Sequence, residues 1–270
     1  LLIRIPHFRP DMQSHPLHPA RSASEIVAYT NKYLRISEVE DWPNALNGLQ
    51  LENSGSVKKI AAAVDLSTRA LEAAAEIGAN LLVVHHGMFW PGLRPLTKAL
   101  HRQIKTALDN DIAVYSAHLP LDLHDEIGNN VLLMRALGIQ RSESFFEEKG
   151  SLLGRTASVR VPFSDIANRL ETAVAGPVKR IAAGPEITRR LGVITGGAGG
   201  EIERVAAEGI DTFITGEGPH WSAVAAEELR INLLLGGHYA TETFGVKGLA
   251  AHLAEKFQLD WQFIDLPTGL

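Results

Sequence analysis

The sequence predicts an α/β protein with two α/β lobes and mainly parallel sheets. Three observations carry that prediction. Short apolar segments alternate along the chain with amphipathic or alanine-rich segments of helical spacing. The apolar segments lack a polar face, as strands covered on both sides of a parallel sheet do. Histidine and carboxylate side chains recur just after them, where open parallel sheets place their ligand sites.

Residues 1–21 hold Pro6, Pro10, Pro16 and Pro19 without periodicity and read as a flexible arm. His7, His15 and His18 within it could imitate a metal site, but proline-rich flexible chain accounts for them. From Ser24, a plausible N-cap, Ile26, Val27, Tyr29 and Tyr33 recur at helical spacing to Leu34. Residues 42–50 have turn chemistry and lead into extended chain.

Regular alternation then begins: strand 59–65, an alanine-rich helix 67–77 closed by Gly78, strand 80–84, helix 97–109 and strand 112–116. Residues 128–139 read as helical and 143–150 as a charged connector. A second unit follows, with strands at 155–161, 191–195, 212–215, 231–235 and 261–265. Its helices fall at 164–174, 201–208, 220–229 and 243–256. The expected lobes are 22–127 plus 236–270, which binds metal, and 128–235. The C-terminal segment joins the first lobe because His238 and Glu242 must meet ligands from the first half of the chain.

Composition narrows the function classes. The 270 residues are 45% hydrophobic and 21% charged, as in soluble globular proteins. A net charge of -5 gives no global basic field for nucleic acid or anionic membrane, though local basic patches remain open; a small-molecule substrate is the partner expected of a metal site. No run reaches the ~18–20 apolar residues of a membrane span. The absence of cysteine removes disulfides, thiolate nucleophiles and Cys-based zinc sites together. Any metal must therefore use imidazole and carboxylate, and a cytoplasmic location is expected.

Asp65, His85 with His86, His118 with Asp122, and His238 with Glu242 all stand at strand ends. Adjacent strand residues point to opposite faces. His85 and His86 thus converge only if the strand has already ended, which Gly87 and Pro91 permit. Otherwise each serves a different ion of a pair, ~3.5–4 Å apart in hydrolytic centres. His238 and Glu242, four apart, share one face of a helical turn. Each segment alone also has a plain reading. A His-His pair can be surface polar or core, His118 a capping group, Asp122 an N-cap, and His238 with Glu242 a solvated face. Their common position at one end of the sheets favours a dinuclear metal site.

Other features carry weaker signals. The run 195–200, Thr-Gly-Gly-Ala-Gly-Gly, follows a strand and opens a helix, so its N–H groups could cradle phosphate. It matches neither the dinucleotide fingerprint nor the P-loop, and a tight turn explains it better. Glu217 and His220 either face the cleft as acid/base groups or open a helix. Phe89 and Trp90 either wall the pocket or fill core, and His101 and His252 read as surface or packing residues. No G-x-S-x-G elbow or H-E-x-x-H helix supports serine esterase or zincin chemistry.

A wider set of motifs is present. It comprises Asn47-Gly48-Leu49-Gln50, Asp65-Leu66-Ser67, His85-His86-Gly87, and His118-Leu119-Pro120-Leu121-Asp122 running to His124. Gly128-Asn129-Asn130, Thr215-Gly216-Glu217 with His220, and Gly237-His238-Tyr239-Ala240-Thr241-Glu242 complete it. In this order, over about residues 22–267, the chain resembles the Nif-three-like dinuclear-metal proteins, also called GTP cyclohydrolase I type 2 homologs.

The resemblance implies metals in a cleft between the lobes and a toroidal homohexamer. It implies two divalent ions, with His86 and Asp122 on one, His85 and His238 on the other, and Glu242 bridging both. His118 would sit beside them. One departure is that Gly87 stands where the family often has proline, which is expected to loosen the loop without removing a ligand.

The leading expectation is a metal-dependent hydrolase using Fe, Zn or Mn, since imidazole and carboxylate suit several metals. His118 or Glu217 would move protons. If the family label describes the reaction, activated water would attack C8 of the guanine ring of GTP and release formate. Phosphoesters and other nucleotides suit the same geometry. A non-catalytic metal- or nucleotide-binding ring, acting as regulator or scaffold, is the alternative from another class.

Overall fold

The structure, a computed structural model, describes residues 20–269. The arm expected over 1–21 lies outside the described residues for 1–19. Arg21 instead opens β1 (Arg21–Ser22), its Nε donating to Phe257 O at 2.8 Å. Helix α1 (Ala23–Tyr33) is capped by Ser22 and not by Ser24, because Ser22 Oγ accepts from Glu25 N. Strands β2 (Gly48–Leu51), β3 (Ser56–Val57) and β4 (Lys59–Asp65) follow. Then come α2 (Thr68–Glu76), capped by Ser67, β5 (Leu81–His86), α3 (Lys98–Asp109), β6 (Ala113–Ser116) and the short α4 (Leu119–Asp122).

The first sheet has the order β13-β4-β5-β6-β2, where β13 (Asp260–Phe263) is the last strand of the chain. Its pairings are parallel except for β2 against β6. Alternate residues leave β4 toward opposite cores. Ile60, Ala62 and Val64 join one cluster, and Ala61 and Ala63 the other. Helix α1 and the later α10 (Thr243–Phe257) cover the first face; α2 and α3 cover the second. Two covered faces explain why these strands read as unbroken apolar runs.

The second half begins with α5 (Asn129–Ala136), β7 (Glu143–Glu148), β8 (Ser151–Pro162), α6 (Phe163–Val174), β9 (Lys179–Ile181) and β10 (Ile187–Val193). A 3-10 turn, Ala198–Glu201, leads to α7 (Ile202–Ala207), β11 (Thr212–Thr215), α8 (Trp221–Leu229) and β12 (Asn232–Leu235). Helix α9 (His238–Thr241) and then α10 return the chain to the first sheet. The mixed α/β architecture is as predicted.

Two details differ from the sequence expectation. The second sheet, β7-β8-β10-β11-β12-β9, is parallel only where β11 meets β10 and β12; its other pairings are antiparallel. A short hairpin between β7 and β8 leaves no room for the crossover that parallel neighbours need. Residues 143–150 are therefore strand and turn, not a connector. Phe145 and Phe146 are both buried there, and Phe146 turns inward through a left-handed φ of 64°. Flanking glutamates masked that strand in the sequence.

Candidate metal centre

Four chain segments that follow parallel strands converge on one cleft: the end of β5, helix α4 after β6, the turn after β11, and helix α9 after β12. Strand β5 does not end before its histidines. It runs through His86, with His85 0% and His86 8% exposed. The two imidazoles nonetheless converge, their ring centroids 4.8 Å apart, which the sequence led us to expect only of a strand that had already ended.

Each imidazole is fixed through Nδ1. His85 Nδ1 lies 2.9 Å from Ala117 O, and His86 Nδ1 is 2.8 Å from Asp65 Oδ1. His238 Nδ1 is 2.9 Å from Glu217 Oε1, and His118 Nδ1 is 2.9 Å from Asp41 Oδ1. All four acceptors are oxygens, so each Nδ1 carries its proton as a donor, and in the neutral tautomer Nε2 is left as a lone pair. This is the arrangement that orients metal-ligating histidines. Asp122 is held similarly, Asn129 Nδ2 donating to its Oδ1 at 2.7 Å.

The Nε2 atoms face carboxylates. His85 Nε2 is 3.5 Å from Asp122 Oδ2 and 3.6 Å from Glu242 Oε1. Glu242 Oε2 lies 3.6 Å from His86 Nε2 and 3.2 Å from His238 Nε2. Among the described residues, His85 Nε2 and Glu242 Oε2 are buried without a hydrogen-bond partner. Such orphans cost stability unless something else satisfies them. Two donors bound at ~2.0–2.1 Å to one tetrahedral ion lie ~3.3 Å apart. The 3.2–3.6 Å spacings bracket that separation, so the residues present fit a cation. Two groups can hold one: His85 with His86 and His118, and His86 with His238 and Glu242.

The electrostatics agree with that fit. Burial would depress the His85 imidazole, but Asp122 and Glu242 outweigh it and raise it well above its ordinary value. His238 is likewise opposed by burial, yet Glu242 and Glu217 raise it to about 9. Burial dominates at His86 and lowers it. Burial would raise Glu242, but His85, His238 and His86 hold its carboxyl well below the usual range. The metal-free centre is thus a knot of buried ions that cations can replace.

The structure brings together all five residues expected as ligands: His85, His86, Asp122, His238 and Glu242. Their pairing differs from the one the resemblance implied. His85, not His86, lies against Asp122, and His86, not His85, shares a group with His238. The two rings lie side by side, with His85 nearer the Asp122 carboxylate of α4 and His86 nearer His238 of α9. His118 stands within ligand reach of His85 and His86. Glu217 meets His238 Nδ1 and stays 46% exposed.

His220 is exposed and belongs to neither metal-capable group, His101 is exposed, and His252 bonds to Tyr29 Oη at 2.7 Å. Asp41 was missed in the sequence. Its carboxylate takes His118 Nδ1, Leu119 N and Asn47 Nδ2 together, contacts from remote chain that no local motif signals.

Glycines let the loops close on these side chains. Gly196, at φ 72°, leaves the space that a side chain would take from the Glu242 carboxylate. Gly87 was expected to loosen its loop; instead it makes room for Gln50, whose Oε1 accepts from Met88 N at 2.6 Å. At Gly216 an added Cβ would lie 2.6 Å from Gly196 O and 2.7 Å from His238 Cα. Gly216→Ala is therefore expected to push the His238 segment outward. It should cost about 1–3 kcal/mol in urea unfolding, and an unchanged midpoint would refute the close approach.

Above the ligands is a cavity of about 340 Å³ whose lining includes His118, Trp90, Trp42, Phe146 and Ile194. Trp90 thus walls the site, 4.8 Å from the His86 ring and 4.6 Å from that of His118. The glycine-rich loop lines another wall, and most of its N–H groups are committed. Gly196 N donates to Thr241 Oγ1, Ala198 N to Thr215 Oγ1 and Gly199 N to Glu217 O. It is a packed turn.

Comparison with known proteins places this arrangement. Residues 21–268 match the family described as Duf34/NIF3 (NGG1p interacting factor 3). A "GTP cyclohydrolase 1 type 2 homolog" of Deinococcus radiodurans is 39% identical over 250 residues, covering 91% of this chain and 94% of that one. One from Pyrococcus horikoshii is 40% identical over 249 residues, covering 91% and 98%. Among solved structures, the protein ybgI, described as of unknown function, superposes with a TM-score of 0.84 at 34% identity, over 93% of this chain and 100% of that one. The protein TTHA1606 from Thermus thermophilus does so with a TM-score of 0.82 at 36% identity and the same coverage.

Proposed function

The chain belongs to the Duf34/NIF3 family, and on that premise we propose that it is a metal-dependent hydrolase holding two divalent ions. Its substrate in this reading is a nucleotide or related small molecule. One observation carries it: four imidazoles fixed through Nδ1, three of them with Nε2 directed at the shared carboxylates Asp122 and Glu242, deep in a cleft. When bound, such ions supply Lewis acidity and lower the pKa of a coordinated water.

The chain's own residues then have distinct tasks. Glu242 offers Oε1 to the His85 side and Oε2 to the His86 and His238 side, and so serves both halves of the centre. Asp65 and Glu217 hold the rings of His86 and His238 in place. His118, anchored by Asp41 and lining the cavity, is positioned to exchange a proton with bound substrate. Trp90 and its apolar neighbours exclude water from that side.

Elemental analysis of purified protein tests the premise, followed by a screen of nucleotides and phosphoesters with metal present and removed. Close to two equivalents of Fe, Zn or Mn and metal-dependent turnover are expected. Metal without turnover on any substrate would shift the reading to a binding or scaffold role. Asp65→Asn is expected to weaken metal binding about 10–100-fold while leaving the fold intact, measured by competition with a chelating dye. The reading also includes a homohexamer, expected in light scattering at about six times the 29.3 kDa chain; a 29.3 kDa particle would overturn that part.

A further inference from the structure

Building on the metal-centre reading, we propose that the cavity takes a flat nitrogen heterocycle, neutral or cationic, with a ring N–H or amino edge, and rejects a polyphosphate tail. Its walls suit a ring. Trp90 and Trp42 supply aromatic surface, and Leu153 and Ile194 aliphatic surface, around about 340 Å³, with the buried Phe146 behind the Arg204 guanidinium. Trp90 adjoins His86 and His118, so a ring lying on it reaches the ligand-bearing floor.

Nothing in the walls is built for anions. Among the described residues lining the cavity, none is lysine or arginine, whereas Glu148 and Glu201 both line it. The two cations beside these residues are already engaged. Arg204 Nη1 lies 2.8 Å from Glu201 Oε2 and 3.4 Å from Glu148 Oε2, its Nη2 donates to Glu147 O at 2.6 Å, and its guanidinium covers the Phe146 ring. Lys149 Nζ sits 3.9 Å over the Trp42 ring. The glycine-rich loop, the other feature able to cradle phosphate, spends the N–H groups of Gly196, Ala198 and Gly199 on Thr241, Thr215 and Glu217, which leaves at most the Gly197 N–H on the cavity wall.

Among the described residues lining the cavity, counter-charge for an anion would therefore come from the metal centre, where a single group could reach the proposed ions. Further phosphates would lie against two carboxylates, a like-charge contact. The same carboxylates are acceptors for an N–H edge. Trp90 and Glu148 thus act on the ring and on its edge, and neither is a metal ligand.

Isothermal titration of the full chain, metal-loaded and metal-free, with guanosine, GTP and inorganic triphosphate tests this. Guanosine is expected to bind both forms, and GTP at least about tenfold more weakly to the loaded form. Glu148→Gln, a partly exposed position, is expected to narrow that gap several-fold, and Trp90→Leu to weaken guanosine. GTP or triphosphate binding as tightly as guanosine overturns the proposal, and so does failure of guanosine to bind. Metal analysis of the same samples separates the two readings. Bound metal with GTP preferred removes only the heterocycle assignment. Absence of metal removes the hydrolase, while guanosine binding to the metal-free chain still decides the ring pocket.

Discussion

Replacing Glu242 with glutamine is expected to abolish binding of the two ions proposed for the centre while leaving the protein folded. Glu242 is 4% exposed and, among the described residues, is the one carboxylate in contact with both halves of the centre. Glutamine keeps its volume and removes its charge, so packing survives and the cation loses its main counter-charge. Asp122→Asn should cost only the ion on the His85 side, and His238→Asn only the ion on the His86 side.

Those stoichiometries follow from the observed pairing, and metal analysis of the three variants reads them directly. The metal-free Glu242→Gln protein also loses the partner of buried, protonated imidazoles. Its destabilisation should stay below the ~3–5 kcal/mol of an orphaned buried charge, because His85 can shed its proton instead. Full metal occupancy in Glu242→Gln would remove this residue from the centre.

Metal uptake is expected to be steeply pH-dependent and to expel protons. With His238 raised to about 9 and His85 also raised well above 6.5, both imidazoles are protonated in the metal-free centre at neutral pH. Ligation needs them neutral, so about two protons leave per centre filled near pH 7. His86, lowered by burial, is already neutral there.

Affinity therefore rises with pH until His238 titrates near 9. The stability of the metal-free protein moves the opposite way. Raised imidazoles stabilise it fully below their unfolded value of 6.5, and this is lost as pH rises through about 9. Glu242, held below 4.5, contributes above that value and loses its contribution as pH falls further. Titrations in buffers of different ionisation enthalpy count the protons, and melting of metal-free protein across pH gives the second curve. Proton-neutral uptake near pH 7 would show that His85 and His238 are not both protonated in the metal-free centre.

Much of the fold was legible from periodicity. Strand β4 and strand β11 have the boundaries that their apolar runs suggested, and α2, α6 and α10 lie within a residue of theirs. Strand β7 was hidden because three glutamates flank Phe145 and Phe146, and only pairing with β8 shows that this segment has an inner face. The five ligand residues stood out because histidine and carboxylate at strand ends have few packing explanations. Of their partners, Asp65 and Glu217 also stood at strand ends and Asn129 lay in a family motif, but Asp41, which reaches His118 across 77 positions of chain, had no local signal.

By itself the sequence determined the α/β class, the family, and the residue types that any metal must use, because periodicity and strand-end chemistry are local properties. Which imidazole faces which carboxylate was decided only by the tertiary structure. That pairing depends on how α4 and α9 approach the end of β5, where His85 and His86 converge although the strand runs through both. The character of the cavity was also beyond local reading. Its aromatic walls and committed cations come from segments near residues 42, 90, 146 and 204, which meet only once both sheets have packed.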